Sequence, residues 1–204
     1  MPFENVIPDK PLSELTPLDV KCTTTRCADN FHCFKTSQKM IEKYGKTGVC
    51  RDCGIDVVDW SRVKKNDVND AGYTFDMMKL ELLRNICWNM PLAKSIQDFA
   101  RKKGKIELKN RAVKLLNRRV GKARNFNEGH QTPKDGKDII NYAQHATATC
   151  CRKCMEYWHN IPMGTELTQE QLAYCTDLVM LYVEHRMQNL TDEGIVIAKS
   201  KAKK

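Results

Sequence analysis

Residues 142–154, YAQHATATCCRKC, decide the fold, because three cysteines fall within five residues between two segments of helical pattern. If a helix begins near Thr149, Cys151 and Cys154 lie at i and i+3 on neighbouring faces of it. One histidine from the preceding loop and another further along the helix complete a His-Cys-Cys-His set, which zinc accepts. The predicted ligands of this site are His145, Cys151, Cys154 and His159, with Cys150 as an alternate.

Other chemistry remains open at the same cysteines. Arg152 and Lys153 stand beside the three thiols, and nearby cations lower the pKa of a thiol, which suits a reactive or redox role. An iron–sulfur cluster prefers four thiolates, whereas this stretch offers three. Metal ligation, with zinc ahead of an iron–sulfur cluster, is therefore the favoured interpretation.

Upstream, five cysteines and one histidine lie between residues 22 and 53. The sequence from Cys50 to Gly54, CRDCG, has the form of a zinc knuckle, a tight turn on which two thiolates converge on one ion. Because zinc takes four ligands, these six candidates leave two spare. The segment has few large apolar residues, so the pattern favours a metal with a folding role over a catalytic one. The predicted ligands are Cys22, Cys27, Cys50 and Cys53, with His32 and Cys33 as alternates.

These stretches together resemble the signature of a small, uncharacterised family of bacterial proteins. The resemblance is carried by YAQHATATCCRxC-x4-H from Tyr142 to His159, by GHQTP at 129–133 and by Glu81-x-x-Arg84, with the CxxCG module on the N-terminal side. It spans roughly residues 20–188. The resemblance implies an origin in bacteria or their mobile elements and brings no mechanism, so function has to be argued from the residues.

The composition is typical of a cytoplasmic protein. The chain has 204 residues and ten cysteines, and no apolar run approaches the roughly 18 residues of a membrane helix. The first residues lack the basic-then-apolar pattern of a secretory signal. In the cytoplasm, closely spaced cysteines indicate metal sites rather than disulfides. We therefore expect two zinc ions and no membrane partner.

Apolar residues recur at helical spacing through most of the chain, which predicts a mainly α fold. It comprises a helical domain, an N-terminal knuckle module and a second metal site between helices. Helices are predicted over 74–89, 92–103 and 106–120, and a capping box at Thr168-x-x-Gln171 begins the last helix. The predicted regions are 1–60 (Cys-rich module), 61–124 (helical region with a basic helix), 125–190 (second metal site and C-terminal helix) and 191–204 (basic tail).

The net charge of +9 is concentrated in residues 101–124, which hold eleven Lys or Arg and one acid, Glu107. Such a density of cations on a helix predicts contact with the phosphates of DNA or RNA. An acidic protein partner and a larger bacterial complex are the alternatives. The residues predicted to contact nucleic acid are Lys102, Lys103, Lys105, Lys109, Arg111, Lys114, Arg118, Arg119, Lys122 and Arg124.

A metal-dependent enzyme acting on nucleic acid or nucleotides is the alternative function. A catalytic zinc keeps three protein ligands and an open position, with a base nearby. The polar loop before the second cysteine cluster offers Glu128 and His130 as candidates for proton transfer. The sequence lacks the His-x-Glu pattern of zinc deaminases and the histidine pair of HNH nucleases. A zinc-stabilised nucleic-acid-binding protein is therefore the favoured interpretation.

Overall fold

The computed structural model describes residues 10–124, 129–135 and 137–197. Within these ranges the chain is mainly helical and forms no β-strand, only two isolated bridges. The helices are α1 (Gln38–Tyr44), α2 (Trp60–Val63), α3 (Ala71–Met78), α4 (Leu82–Asn89), α5 (Lys94–Leu116), α6 (Ile139–Ala146), α7 (Arg152–His159) and α8 (Gln169–Arg186). None of the described helices has both the length and the apolar character needed to cross a membrane.

Helix α6 lies at the centre of the core, and every one of its residues is buried. Helices α4, α5 and α8 pack around it. The apolar face of α5, with Leu108, Ala112 and Leu116 fully buried, meets α8. Burying a leucine side chain contributes about 1.5–3 kcal/mol to the stability of the fold. This apolar face therefore holds α5, the predicted basic helix, against the core, and most of its cations lie on the opposite, exposed face.

Helix α5 is broken at Gly104, where the sequence predicts a helix boundary. Gly104 has φ +69°, and a Cβ there would lie 2.4 Å from the carbonyl carbon of Glu193. The C-terminal segment 191–197 lies against the break, where Lys105 N–H donates to the Thr191 carbonyl at 2.9 Å. Glycine is thus required both for the backbone angle and for the close approach. Residues 198–204 of the predicted basic tail lie outside the described residues.

The predicted helix over 74–89 is two helices, α3 and α4, separated by a turn at residues 79–81. Residues of this turn accept hydrogen bonds from the backbone of the N-terminal segment. The backbone N–H of His32 donates to the Leu80 carbonyl at 2.7 Å, and that of Phe34 donates to Glu81 Oε1 at 3.3 Å. Helical periodicity continues across the turn, so the pattern alone does not reveal it. The break is where the Cys-rich segment docks on the helical core.

The predicted capping box at the start of α8 is present. Gln171 N–H donates to Thr168 Oγ1 at 3.2 Å, and Thr168 N–H donates to Gln171 Oε1 at 3.0 Å. Two of the helix's unpaired N-terminal N–H groups are satisfied in this way, which fixes where α8 begins.

Candidate metal centres

A first group of four ligand atoms, here called the first centre, comes together from Cys27, His32, Cys50 and Cys53. All four atoms lie within 4.8 Å of one another. Cys27 Sγ is 3.8 Å from Cys50 Sγ, and Cys53 Sγ is 3.5 Å from His32 Nδ1. Three thiols and one imidazole are a set that binds a tetrahedral metal ion.

His32 is held in the orientation that a ligand needs. Its Nε2 is 3.0 Å from Asn30 Oδ1, so the ring donates its N–H there and leaves the Nδ1 lone pair facing the thiols. Asn30 adopts the left-handed conformation (φ 62°) directly after the short 3-10 turn Cys27–Asp29, which turns the chain back toward the cysteines. Burial lowers the pKa of His32 and favours the neutral imidazole that binds metals.

The knuckle predicted from CRDCG is formed at Cys50 and Cys53. Gly54 N–H donates to the Cys50 carbonyl at 2.9 Å, with Gly54 at φ +77°. A Cβ on Gly54 would lie 2.6 Å from the Tyr44 ring, which packs over the turn. Burial opposes ionisation of the Cys50 thiol, but backbone N–H groups of the knuckle donate to it, and its pKa is lowered. The turn thus prepares a thiolate ligand.

A second group, here called the second centre, is formed by the thiols of Cys150, Cys151 and Cys154, which also lie within 4.8 Å of one another. All three residues are buried. The Cys22 thiol lies beside this group and interacts electrostatically with the thiols of Cys150 and Cys154, but it is not one of the three whose sulfurs all lie within 4.8 Å of one another. Cys22 is therefore the candidate for a fourth ligand.

The backbone around α7 explains this convergence. Ala148 has φ 57° and turns the chain after α6, and Cys151 is the extended N-cap residue of α7 (φ −160°, ψ 159°). Cys154 lies in the first turn of the helix. The helix begins later than the predicted Thr149, so Cys150 and Cys151 both stand outside it and are free to face Cys154.

The thiols of the second centre and Cys22 are electrostatically linked. Interactions with the neighbouring thiols of Cys150, Cys151 and Cys22 lower the pKa of Cys154 well below its ordinary value. The same contacts, first of all the one with Cys151, raise the pKa of Cys150 well above its ordinary value. One thiolate thus accepts from its neighbours, and a bound cation would replace the shared protons.

The ligand grouping differs from the one expected from spacing. Cys22 belongs with the second centre although Cys27 is only five residues away, because Thr24 makes a turn between them: Lys21 N–H donates to Thr24 Oγ1 at 2.9 Å, and Thr24 N–H donates to the Lys21 carbonyl at 3.1 Å. Cys33 is fully buried outside the first centre, and burial raises its pKa to about 12. His32 takes the place that was expected for Cys22.

The two histidines expected at the second centre lie outside its thiol group. His159 Nε2 is 2.9 Å from the Thr147 carbonyl, and its Nδ1 is 3.1 Å from Tyr174 Oη, so both ring nitrogens have partners in the core. The sequence prediction placed Cys151 and His159 on one helix, but Cys151 precedes α7, so helical spacing does not bring the two side chains together. His145 Nε2 is 3.2 Å from the carbonyls of Thr132 and Pro133, and its Nδ1 has no hydrogen-bond partner.

Sequence reasoning missed a buried ion pair behind the second centre, although Glu81-x-x-Arg84 is part of the family resemblance. Arg84 Nε donates to Glu81 Oε2 at 2.6 Å, and the two side chains are 1% and 2% exposed. Arg84 also donates to the His145 carbonyl at 2.7 Å and to Tyr157 Oη at 2.8 Å. Burial raises the pKa of Glu81, and the adjacent guanidinium opposes that rise. The pair joins α4, α6 and α7 beneath the cysteines.

The basic segment is largely paired with acids or amides elsewhere in the fold. Lys109 Nζ is 3.0 Å from Asp177, and Arg111 holds Asp138, the N-cap of α6, at 2.6 Å. Lys103 pairs with Glu107, Lys105 with Glu184 and Lys122 with Glu166, and Arg119 donates to Asn141 and Gln144. Within the described ranges, the predicted nucleic-acid contacts that are exposed and make no ion pair with an acid are Lys102, Lys114, Arg118 and Arg124.

Of the two proton-transfer candidates, His130 is exposed and lines a cavity beside the second centre. Glu128 lies outside the described residues.

These helices and thiol groups define a mainly helical protein with two candidate Cys/His metal sites. The family described as "Domain of unknown function (DUF4186)" matches residues 74–184, just over half of the chain, and the chain belongs to this family. The match includes Cys150, Cys151 and Cys154, whereas Cys22 and all four ligands of the first centre lie before it. No solved structure matches the chain.

Proposed function

We propose that the protein binds one zinc ion at each centre and that both ions have a structural role. The donor sets support this: the first centre brings together one imidazole and three thiols, and the second brings together three thiols with the Cys22 thiol beside them as the proposed fourth ligand of a closed tetrahedral site. Zinc bound there supplies ligand bonds and neutralises thiolate charge. Four protein ligands leave no open position for water, which argues against the alternative of a zinc enzyme.

Iron–sulfur clusters are held by four thiolates. Four thiols at the second centre would therefore suit such a cluster better than the two histidines and two cysteines that the sequence predicted. Zinc stays the proposed metal because the sulfurs of Cys150, Cys151 and Cys154 lie within 4.8 Å of one another, close enough to share one ion at a Zn–S distance of about 2.3 Å. Metal analysis and the absorption spectrum of the purified protein distinguish the two. We expect two zinc ions per chain and a colourless solution.

We further propose that the metal-stabilised fold binds nucleic acid along α5. The carrying observation is a groove of about 400 Å³ on the outer face of this helix. Lys114 and Arg118, four residues apart, line it and have no acid partner in the described part of the chain. Cations on one helix face are the arrangement that contacts a phosphate backbone. The whole lining is Lys103, Glu107, Asn110, Arg111, Lys114, Leu115 and Arg118.

Ion pairs within the fold leave Lys114 and Arg118 as the two groove residues on which this proposal rests. Lys103 and Arg111 also line the groove, but each is already paired with a carboxylate. Replacing Arg111 would remove the partner of the α6 N-cap Asp138 and would test folding as well as binding. Lys114 and Arg118 are exposed, so their replacement tests binding alone.

The experiment is fluorescence anisotropy of a labelled DNA duplex and a labelled RNA over a range of salt concentrations. The double variant Lys114→Glu/Arg118→Glu should bind much more weakly and lose about 2 from the slope of log K against log salt, since each phosphate contact contributes about 0.9 for duplex DNA. The matched control is Lys39→Glu/Lys65→Glu, which makes the same charge change at two exposed lysines outside the groove. Equal binding by the two double variants would contradict the proposal.

A further inference from the structure

We propose that the cavity beside the second centre is a binding site for a small ligand that bears a phosphate group. This cavity, here called the lysine cavity, has a volume of about 450 Å³. Cys22, Cys151 and Cys154 form part of its wall. It is separate from the groove on α5, so the inference does not depend on nucleic-acid binding.

The charge of the lining is one-sided. Four lysines surround the lysine cavity, namely Lys21, Lys35, Lys134 and Lys153, and no aspartate or glutamate is among the described residues that line it. Lys134 Nζ donates to the Val20 carbonyl at 2.7 Å, and none of the four makes an ion pair within the described residues. The basic helix behaves differently, since most of its cations have acids beside them. Unneutralised lysines around a concave site attract an anion.

Two buried polar atoms belong to residues of the wall and have no partner among the described residues. His145 is 5% exposed and Thr132 is 4% exposed, and both line the lysine cavity. His145 Nδ1 and Thr132 Oγ1 form no hydrogen bond with the part of the chain that the structure describes. Buried side-chain polar atoms are nearly always hydrogen-bonded in folded proteins, so two such atoms on residues that line a cavity point to a ligand.

The hydrogen-bonding character of these atoms defines the ligand. His145 Nε2 faces two backbone carbonyls and therefore carries the proton, which leaves Nδ1 as a bare acceptor. The ligand must offer anionic oxygens to the lysines and the Thr132 hydroxyl, and an O–H or N–H to His145. Inorganic phosphate keeps a proton at neutral pH and has both, and a phosphate monoester has both in its singly protonated form, whose pKa is about 6, whereas sulfate at neutral pH has no proton to donate.

The test is isothermal titration of the zinc-loaded full chain with inorganic phosphate, adenosine monophosphate and sulfate. We expect phosphate and the monophosphate to bind and sulfate to bind at least tenfold more weakly. Lys35→Gln/Lys153→Gln should weaken phosphate binding by about tenfold or more, because each charge-assisted hydrogen bond is among the stronger ones in proteins. The matched control is Lys39→Gln/Lys65→Gln, which should leave the affinity unchanged.

Thr132→Val removes the unpartnered hydroxyl with little change in shape, and it should weaken phosphate binding without lowering the charge of the cavity. Three results overturn the proposal: no phosphate binding by the wild-type chain, equal weakening in the control, or binding that is lost in Lys114→Glu/Arg118→Glu and kept in the cavity variants. The last result would assign the phosphate to the α5 groove. Tighter binding of the monophosphate than of free phosphate identifies an ester as the ligand.

Discussion

Cys22 lies beside Cys150, 128 residues further along the chain, and the interaction of their thiols links the Cys-rich segment to the domain that the family match covers. A metal ion held there would tie residues before position 74 to α7. His32, a ligand of the first centre, also links this segment to the helical core, because its backbone N–H donates to the Leu80 carbonyl. Metal binding and docking of the segment are therefore expected to be coupled.

The amide of Asn30 should tune metal affinity at the first centre. Asn30→Gly keeps the positive φ but removes the oxygen that orients the His32 ring. Loss of such an outer partner typically weakens metal binding about 10–100-fold. Competition with a chelator should show one of two zinc ions released earlier than in the wild-type chain. Asn160→Gly, which also replaces an asparagine of positive φ (54°) but lies at the C-cap of α7 and not at the first centre, serves as the control and should leave this ion unaffected.

Arg84→Met should destabilise the protein strongly, because it leaves the Glu81 carboxylate buried without its cation. Breaking a buried pair by removing one partner costs about 3–5 kcal/mol. Urea unfolding with zinc in excess measures the loss. The double variant Glu81→Gln/Arg84→Met should lose less than the sum of the two single variants. Additive losses would show that the pair does not act as a unit.

His159 should make the folded state sensitive to mild acid. Burial lowers its pKa to about 4, below its ordinary value of 6.5, so protonation favours the unfolded chain. The stability that neutral His159 contributes is present above pH 6.5 and is lost as the pH falls toward 4.

His159→Gln is the matched variant, because glutamine keeps a donor for the Thr147 carbonyl without a titrating ring. From about pH 7 to about pH 5, the wild-type chain should lose about 2 kcal/mol more than the variant. Loss of metal in acid affects both chains, so the difference between them reports the histidine. Parallel curves of unfolding free energy against pH would contradict the assignment.

The sequence allowed the helical class, the break at Gly104 and the capping box of α8 to be predicted, since each depends on residues close together in the chain. It did not allow the partners of Cys22 and His32 to be predicted. Their grouping depends on a turn at Thr24 and on where the segment docks on α4, which are contacts between residues far apart in sequence. Spacing in the sequence shows which cysteines and histidines are close in the chain, but it does not show which of them are close in the folded protein.

The basic segment illustrates the same limit in electrostatic terms. Counting charges over 101–124 identifies the segment, but Asp138, Asp177 and Glu184, which neutralise three of its cations, come from other helices or their caps. Only the fold reveals that Lys114 and Arg118 are exposed on the groove and form no ion pair with any of the residues that the structure describes. The lysine cavity was likewise hidden, because its four lysines are scattered over 21–153.

The cadmium-113 NMR spectrum of the cadmium-loaded protein tests the central claim, that Cys22 is a ligand of the second centre. We predict two resonances, one from an ion bound by four sulfurs and one from an ion bound by three sulfurs and His32. Cys22→Ser should move only the four-sulfur resonance, and Cys27→Ser should move only the other. If Cys22→Ser moves the resonance that Cys27→Ser also moves, or leaves both in place, Cys22 is not a ligand of the second centre.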